Sequence, residues 1–155
     1  MKKLFIICFC ILFTTSACSE NPVNPELIAI SFDGKTFDLS QKKDKIVVLM
    51  FWAEWCGYCA KEMPVLDEIY KKYKSRGVEV FGVSTDEIEK FEKVRSIAAK
   101  VSYPNSMKRY VTKNGFGFPR GFPTSYIISK GQVIGTIKGY LPFAEFEQRI
   151  IQFIK

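Results

Sequence analysis

Two cysteines, Cys56 and Cys59, stand three positions apart where the predicted secondary structure changes from strand to helix. Apart from Lys45, residues 45–52 before them are apolar and rich in β-branched side chains, as expected for a strand buried on both faces. From Gly57 onward apolar residues recur at helical spacing, so both cysteines lie on one face of the helix. A disulfide can close there with little backbone movement. This context favours a redox-active pair over a small structural staple.

The N-terminal residues have the composition of an export signal followed by a tether. Residues 1–17 contain two lysines, an apolar run too short to span a bilayer comfortably and small residues before a cleavage site. Cys18 then resembles the lipidated cysteine of bacterial lipoproteins, but Thr15 stands where an aliphatic residue is usual. Cleavage by ordinary signal peptidase, which would leave Cys18 a free thiol, is the alternative. Residues 18–26 place two prolines among polar residues and predict a flexible tether.

Charge and composition exclude several classes of function. The 155 residues carry a formal net charge of +7 with no long basic run, which predicts solvated faces and no nucleic-acid partner. The chain has no histidine, and this excludes Ser-His-Asp and Cys-His catalytic sets and histidine-ligated zinc or haem. We predict that the protein needs no metal and no organic cofactor.

The hydrophobic pattern of residues 27–155 predicts one domain with the order β-β-β-α-β-α-β-β-α. Segments at 27–32 and 35–39 flank Asp33-Gly34 and predict a hairpin, and 78–84 predicts a buried strand parallel to 45–52. The other predicted elements are helices at 57–76, 86–100 and 142–155, a helical turn or two at 106–113, and a hairpin at 124–138. The expected fold is a three-layer α/β/α arrangement with a mixed central sheet, helices on both faces and an added N-terminal hairpin.

Three separated features resemble the thioredoxin superfamily, and they occur in that family's order. They are Trp55 with the Cys56-x-x-Cys59 pair, Pro64, and Gly121-Phe122-Pro123-Thr124 before a strand-turn-strand-helix ending. The export signal, the hairpin and the sequence around the cysteines are most similar to the TlpA/ResA-type branch. That branch consists of membrane-tethered thiol-disulfide oxidoreductases facing the periplasm or the cell exterior, some of which reduce apocytochrome c.

The resemblance implies a role for each matching residue. Pro123 is expected to be cis beside the cysteines, with the Phe122 backbone free to pair with an extended client and Trp55 offering it an apolar platform. Cys56 lies at the helix N-terminus, where the helix dipole should lower the thiol pKa, so it is expected to be the nucleophile. Cys59, one turn deeper, is expected to resolve the mixed disulfide.

Met50 is a first departure from thioredoxin, which has a buried aspartate at this position. The Cys59 proton therefore needs another acceptor. By counting along the second central strand, Glu87 matches an acidic residue of the TlpA/ResA-type branch and is the expected acceptor; its other interpretation is an exposed first-turn residue. The alternatives are Asp86, and Glu54 and Glu62, which are expected to be solvated.

Gly57-Tyr58 between the cysteines is the second departure, since thioredoxin has Gly-Pro there and the DsbC-type isomerases have Gly-Tyr. The pair leaves the direction of electron flow open, although this chain has no room for the isomerases' dimerisation domain. The expected function is therefore an exported, monomeric reductant of periplasmic protein disulfides, with cytochrome c maturation as one use. Its clients are disulfide-containing proteins, its electrons come from a membrane donor of the DsbD/CcdA type, and a lipid anchor at Cys18 holds it to the membrane.

Three other functions remain alternatives at this point. Disulfide isomerase is the first, because of the Gly57-Tyr58 pair. Thiol peroxidase is less favoured, because that chemistry wants a threonine or serine three residues before the nucleophile and Ala53 stands there. A copper-binding module is also less favoured, because such proteins of this fold generally add a histidine.

Overall fold

The computed structural model describes residues 25–154, which form two β-sheets and three α-helices. The predicted signal segment, Cys18 and most of the predicted tether lie outside these residues. The elements are β1 (Leu27–Ile30), β2 (Thr36–Asp38), β3 (Ile46–Trp52), α1 (Gly57–Tyr73), β4 (Val78–Ser84), α2 (Phe91–Ala98), β5 (Asn105–Met107), β6 (Val111–Asn114), β7 (Thr124–Ser129), β8 (Gln132–Lys138) and α3 (Phe143–Ile151). Among the described residues no helix is both long and apolar enough to span a membrane.

The larger sheet has five strands in the order β5-β4-β3-β7-β8, with β3 at its centre. β3 pairs in parallel with β4, as predicted, and antiparallel with β7. All seven residues of β3 are buried, which explains its unbroken apolar sequence. Trp52 pairs with Ser84 and Phe51 pairs with Thr124, so three chain segments leave or enter the sheet at the same edge. This edge carries the cysteines.

The two faces of this sheet are covered by different layers. Alternate β3 residues, including Val48 and Met50, share a core with side chains from all three helices. Val47 and Leu49 point the other way and pack with residues of β1 and β2. The predicted thioredoxin-like α/β class is confirmed, but the small sheet stands where a second helical layer was expected. The reason is topological: β3, β4 and β5 follow one another in one direction, so two right-handed crossovers place α1 and α2 on one face.

The smaller sheet has the order β2-β1-β6 and corrects the prediction for residues 106–113. The predicted helical turns there are wrong except for one short 3-10 turn, Lys108–Tyr110. β6 instead pairs antiparallel with the free edge of β1, where Ala29 pairs with Val111. β6 forms because β1 has an edge to which a further strand can pair, and because the segment contains β-branched residues that favour a strand. A prediction that rests on helical spacing takes neither factor into account.

Turns and helix ends account for the remaining differences. Ile30 pairs with Thr36, so the first hairpin closes through residues 31–35 and not through a two-residue turn. The hairpin at 124–138 is confirmed, and its two-residue turn has positive φ at Lys130 (53°) and Gly131 (78°), as a type I′ turn requires. α2 and α3 are shorter than the predicted segments.

Candidate active site

Cys56 and Cys59 form a disulfide at the first turn of α1. Cys56 is the N-cap residue with extended backbone angles, and the helix begins at Gly57. The Cys59 backbone N–H donates a hydrogen bond to the Cys56 sulfur at 3.1 Å. The Cys59 amide and the positive end of the helix dipole therefore lie at the Cys56 sulfur, an arrangement that stabilises a thiolate in the reduced protein.

The two cysteines differ in how deeply they are buried. Cys59 is 1% exposed and Cys56 is 7% exposed, while the neighbouring Trp55 is 70% exposed. Both cysteines are buried, but Cys56 is the more exposed of the two and follows the exposed Trp55, so a protein client approaching from solvent meets Cys56 first. The geometry fits the roles predicted for them, nucleophile and resolving cysteine.

The residues predicted to bind the client lie at the same edge of the sheet. The Phe122–Pro123 peptide bond is cis, as expected. Thr124 pairs with Phe51, so Pro123 lies beside the end of β3, where the active-site segment begins. The Trp55 ring meets the Phe122 ring edge to face, with the centroids 5.9 Å apart. Together these side chains form an apolar rim next to Cys56.

The loop after β4 places its two carboxylates differently from the prediction. Glu87 is exposed, and its carboxylate forms an ion pair with Lys108. Asp86 is the buried residue: it accepts hydrogen bonds from the Glu54 backbone N–H at 2.8 Å and from the Ser84 hydroxyl at 2.6 Å. The carboxylate that holds the active-site segment is therefore Asp86, and the predicted role of Glu87 in catalysis stays a prediction.

Glu54 was expected to be solvated, and this is wrong. Its side chain is only 6% exposed because it folds against two lysines of the α2 region. Lys93 lies 2.6 Å from one carboxylate oxygen and Lys90 lies 3.7 Å from the other. The hydrogen bond from Lys93 holds the pKa of Glu54 below its usual value. Glu54 is thus an ionised partner for Lys93 beside the active site.

The prediction that Glu62 is solvated is also wrong. This carboxyl is fully buried one helical turn after Cys59, and the Ser125 hydroxyl on β7 donates a hydrogen bond to it at 2.7 Å. Burial raises its pKa from 4.5 to about 7, against the opposing effect of the Ser125 hydrogen bond. The sequence did carry the signal, because Glu62 lies three residues after Cys59 and four before Leu66, on the buried face of α1.

A family model described as the AhpC/TSA family matches residues 23–135, which is most of the chain. The chain belongs to this family of the thioredoxin superfamily. Thiol-disulfide oxidoreductase ResA of Bacillus thuringiensis subsp. konkukian (strain 97-27) is 36% identical over 127 residues, covering 74% of this chain and 67% of that protein. ResA of Bacillus subtilis (strain 168) is 31% identical over 137 residues, covering 78% of this chain and 68% of that protein.

The fold of this AhpC/TSA family member is similar to that of solved structures. A thioredoxin-family thiol:disulfide interchange protein from Chlorobium tepidum TLS superposes with a TM-score of 0.71 at 29% identity. The match covers 84% of this chain and 93% of that protein. The relatives and the Cys56–Cys59 disulfide agree, and they confirm the prediction from sequence: this family member is a thiol-disulfide oxidoreductase.

Proposed function

We propose that this oxidoreductase is an exported, lipid-anchored reductant of protein disulfides on the periplasmic side of a bacterial membrane. The observation that carries the proposal is the asymmetry of the cysteine pair. Cys56 caps a helix N-terminus beside the exposed Trp55, and Cys59 is more deeply buried one turn further along the helix. Such a pair accepts a client at Cys56 and retains an internal thiol that releases it.

The reaction transfers two electrons from the protein to the client. The Cys56 thiolate attacks one sulfur of the client disulfide, forming a mixed disulfide and freeing the other client sulfur as a thiolate, which takes up a proton. Cys59 then loses its proton and attacks the Cys56 sulfur. The second client thiolate leaves, the client is reduced and the Cys56–Cys59 disulfide forms.

Release of the client requires a group that accepts the Cys59 proton. Glu62 is buried on the same helix face as Cys59, and its pKa of about 7 matches a group that gains and loses a proton near neutral pH. Glu87 is exposed and ion-paired with Lys108. These observations favour Glu62 as the acceptor over Glu87, the acceptor predicted from sequence.

The client is expected to bind across the rim formed by Trp55, Phe122 and Pro123. The exposed indole and the neighbouring Phe122 ring offer apolar area next to the Cys56 sulfur. An extended client segment can lie along this rim while its disulfide approaches Cys56. Tyr58, between the cysteines, is 61% exposed and offers a client a further aromatic ring. The Gly57-Tyr58 pair keeps disulfide isomerisation as the second candidate.

The location and the electron donor follow from the N-terminal sequence and the redox environment. Residues 1–17 support export, and Cys18 supports a lipid anchor. Because the space outside the cytoplasm is oxidising, electrons must arrive from a membrane donor of the DsbD/CcdA type. Reduction of apocytochrome c is the specific use that the similarity to ResA favours.

Trapping the client tests this proposal in the native cell envelope. In a Cys59→Ser variant the mixed disulfide on Cys56 is not resolved, so client proteins stay attached and are released by a reducing agent. We expect such adducts in the envelope fraction, with cytochrome c precursors among them. The Cys56→Ser/Cys59→Ser double variant is the matched control and should hold none. Equal adducts in both variants, or none in either, would contradict the proposal.

A further inference from the structure

A cavity of about 420 Å³ opens beside Cys56, on the side that faces α2. It is lined chiefly by apolar side chains, including Trp52, Ala60, Met63, Ile97 and Val101, and by Cys56 itself. Its volume lies within the range of about 300–1,000 Å³ that is usual for ligand pockets. The lining does not include Phe122 or Pro123, so the cavity is separate from the rim described above.

The Trp52 ring forms an apolar wall of the cavity, because its N–H is paired with another buried side chain. The indole N–H of Trp52, its one polar atom, donates to the Asn105 side-chain oxygen at 3.1 Å. Gly82 makes this contact possible, because a Cβ at that position would lie 1.9 Å from the same oxygen. Ile97 and Val101 are only half buried, and they leave apolar surface facing the cavity. An apolar occupant therefore gains contacts without leaving a polar atom of Trp52 unpaired.

The charged groups at the cavity are one carboxylate that is already ion-paired and one exposed lysine. Its two charged lining residues are Glu54 and Lys100. The Glu54 carboxylate already forms ion pairs with Lys93 and Lys90. Lys100 is exposed and also lines the cavity. Because Glu54 is already paired with two lysines, Lys100 is the charged lining residue that favours an occupant bringing a negative charge.

We propose that this cavity is a specificity pocket for the disulfide client: it binds an apolar side chain next to the client cysteine, and Lys100 attracts a client carboxylate beyond it. The inference rests on the proposed function, in which the client is bonded to Cys56. Because Cys56 is one of the residues lining the cavity, a residue adjacent to the client cysteine, about 3.3 Å away along an extended chain, lies near its opening. Charge and apolarity together define the preferred client segment.

Peptides carrying one cysteine as a mixed disulfide with 2-nitro-5-thiobenzoate provide the probe. The Cys56 thiolate displaces the low-pKa aromatic thiolate, whose colour reports the rate, and the peptide forms a mixed disulfide with Cys56 that Cys59 afterwards resolves. Four peptides carry either leucine or glycine on both sides of the cysteine, and either glutamate or glutamine at the next positions. We expect leucine to raise the second-order rate constant about tenfold over glycine. Glutamate should raise it about two- to fivefold over glutamine at low salt.

Variants assign each preference to one side of the cavity. Ala60→Trp fills the cavity from an exposed helix position and should remove the leucine preference. Lys100→Glu should reverse the glutamate preference. Lys43→Glu makes the same charge change before β3, at the far end of the sheet from the cysteines, and should keep both ratios. Ratios taken within one variant are insensitive to changes in its overall reactivity.

The outcomes separate this inference from the proposed function. If wild-type protein reacts with all four peptides at equal rates, disulfide exchange at Cys56 stands and the specificity pocket is refuted. Preferences that persist unchanged in Ala60→Trp and Lys100→Glu also refute it. If reduced wild-type protein releases no thiolate from any peptide, the proposed function fails, and the pocket fails with it.

Discussion

Replacing Cys56 with serine is expected to abolish the reduction of insulin disulfides, with a loss of about a thousandfold or more in rate. Cys56 is the more exposed of the two cysteines, and Cys59, at 1% exposure, is too deeply buried to take over its role. A serine hydroxyl at this helix N-terminus is neutral at pH 7 and cannot form a disulfide with a client. Turnover of insulin with a thiol reductant as the electron source measures the effect.

The Cys59→Ser variant is the matched comparison, because it removes the other sulfur at the same first turn. It should still attack insulin once, through Cys56, and then stall as the mixed disulfide. Mass spectrometry of the protein after mixing distinguishes the two variants, since only Cys59→Ser should gain a covalent insulin chain. Retention of turnover by Cys56→Ser would show that Cys59 attacks the client and that the assigned order is reversed.

The Glu62→Gln variant is expected to change how stability depends on pH. The carboxyl has a pKa of about 7 when folded and 4.5 as its ordinary value. Between these values the folded protein holds a proton that the unfolded chain has lost, so stability falls as the pH rises from 4.5 and the loss is complete above 7. At about 1.36 kcal/mol for each pH unit, this loss amounts to about 3 kcal/mol. Glutamine cannot ionise and keeps an acceptor for Ser125.

Urea unfolding of the oxidised protein at pH 5 and pH 8 measures this difference. The oxidised form is used because its disulfide-bonded cysteines do not titrate. The free energy of unfolding of Glu62→Gln minus that of wild type should be larger at pH 8 than at pH 5. The control, Glu87→Gln, changes a carboxylate whose side chain is 73% exposed, so its difference from wild type should be the same at both pH values. A Glu62→Gln difference that does not vary with pH would show that Glu62 is not a buried acid with a raised pKa.

Local sequence patterns were sufficient to predict the central part of the fold. The apolar run of β3, the helical stripe of α1 and the two-residue turn before β8 each carry their own signal, and each was found where expected. β6 was not predicted, nor was the three-stranded sheet that it forms with the predicted N-terminal hairpin, because β6 pairs with β1 across a distant part of the chain. Pairing of Ala29 with Val111 depends on the edge that β1 leaves free, and no local window contains that information.

The candidate site was predictable where chemistry depends on sequence neighbours. Cys56, Cys59 and the cis Pro123 occur in motifs, and the structure places them at one edge of the sheet. The carboxylates were harder to place. Charge alone suggests solvent for Glu54 and Glu62, but burial depends on the lysines of the α2 region and on Ser125 of β7, which tertiary packing brings to them.

The direction of electron flow is the central claim, and the reduction potential of the Cys56–Cys59 pair tests it most directly. Oxidised and reduced forms equilibrated with defined glutathione ratios give this potential. A reductant of client disulfides should have a potential close to the roughly −270 mV of thioredoxin. A value near the roughly −180 mV of protein disulfide isomerase, about a thousandfold less reducing in equilibrium constant, would favour isomerisation. A value near the roughly −120 mV of DsbA would contradict the reductant assignment outright.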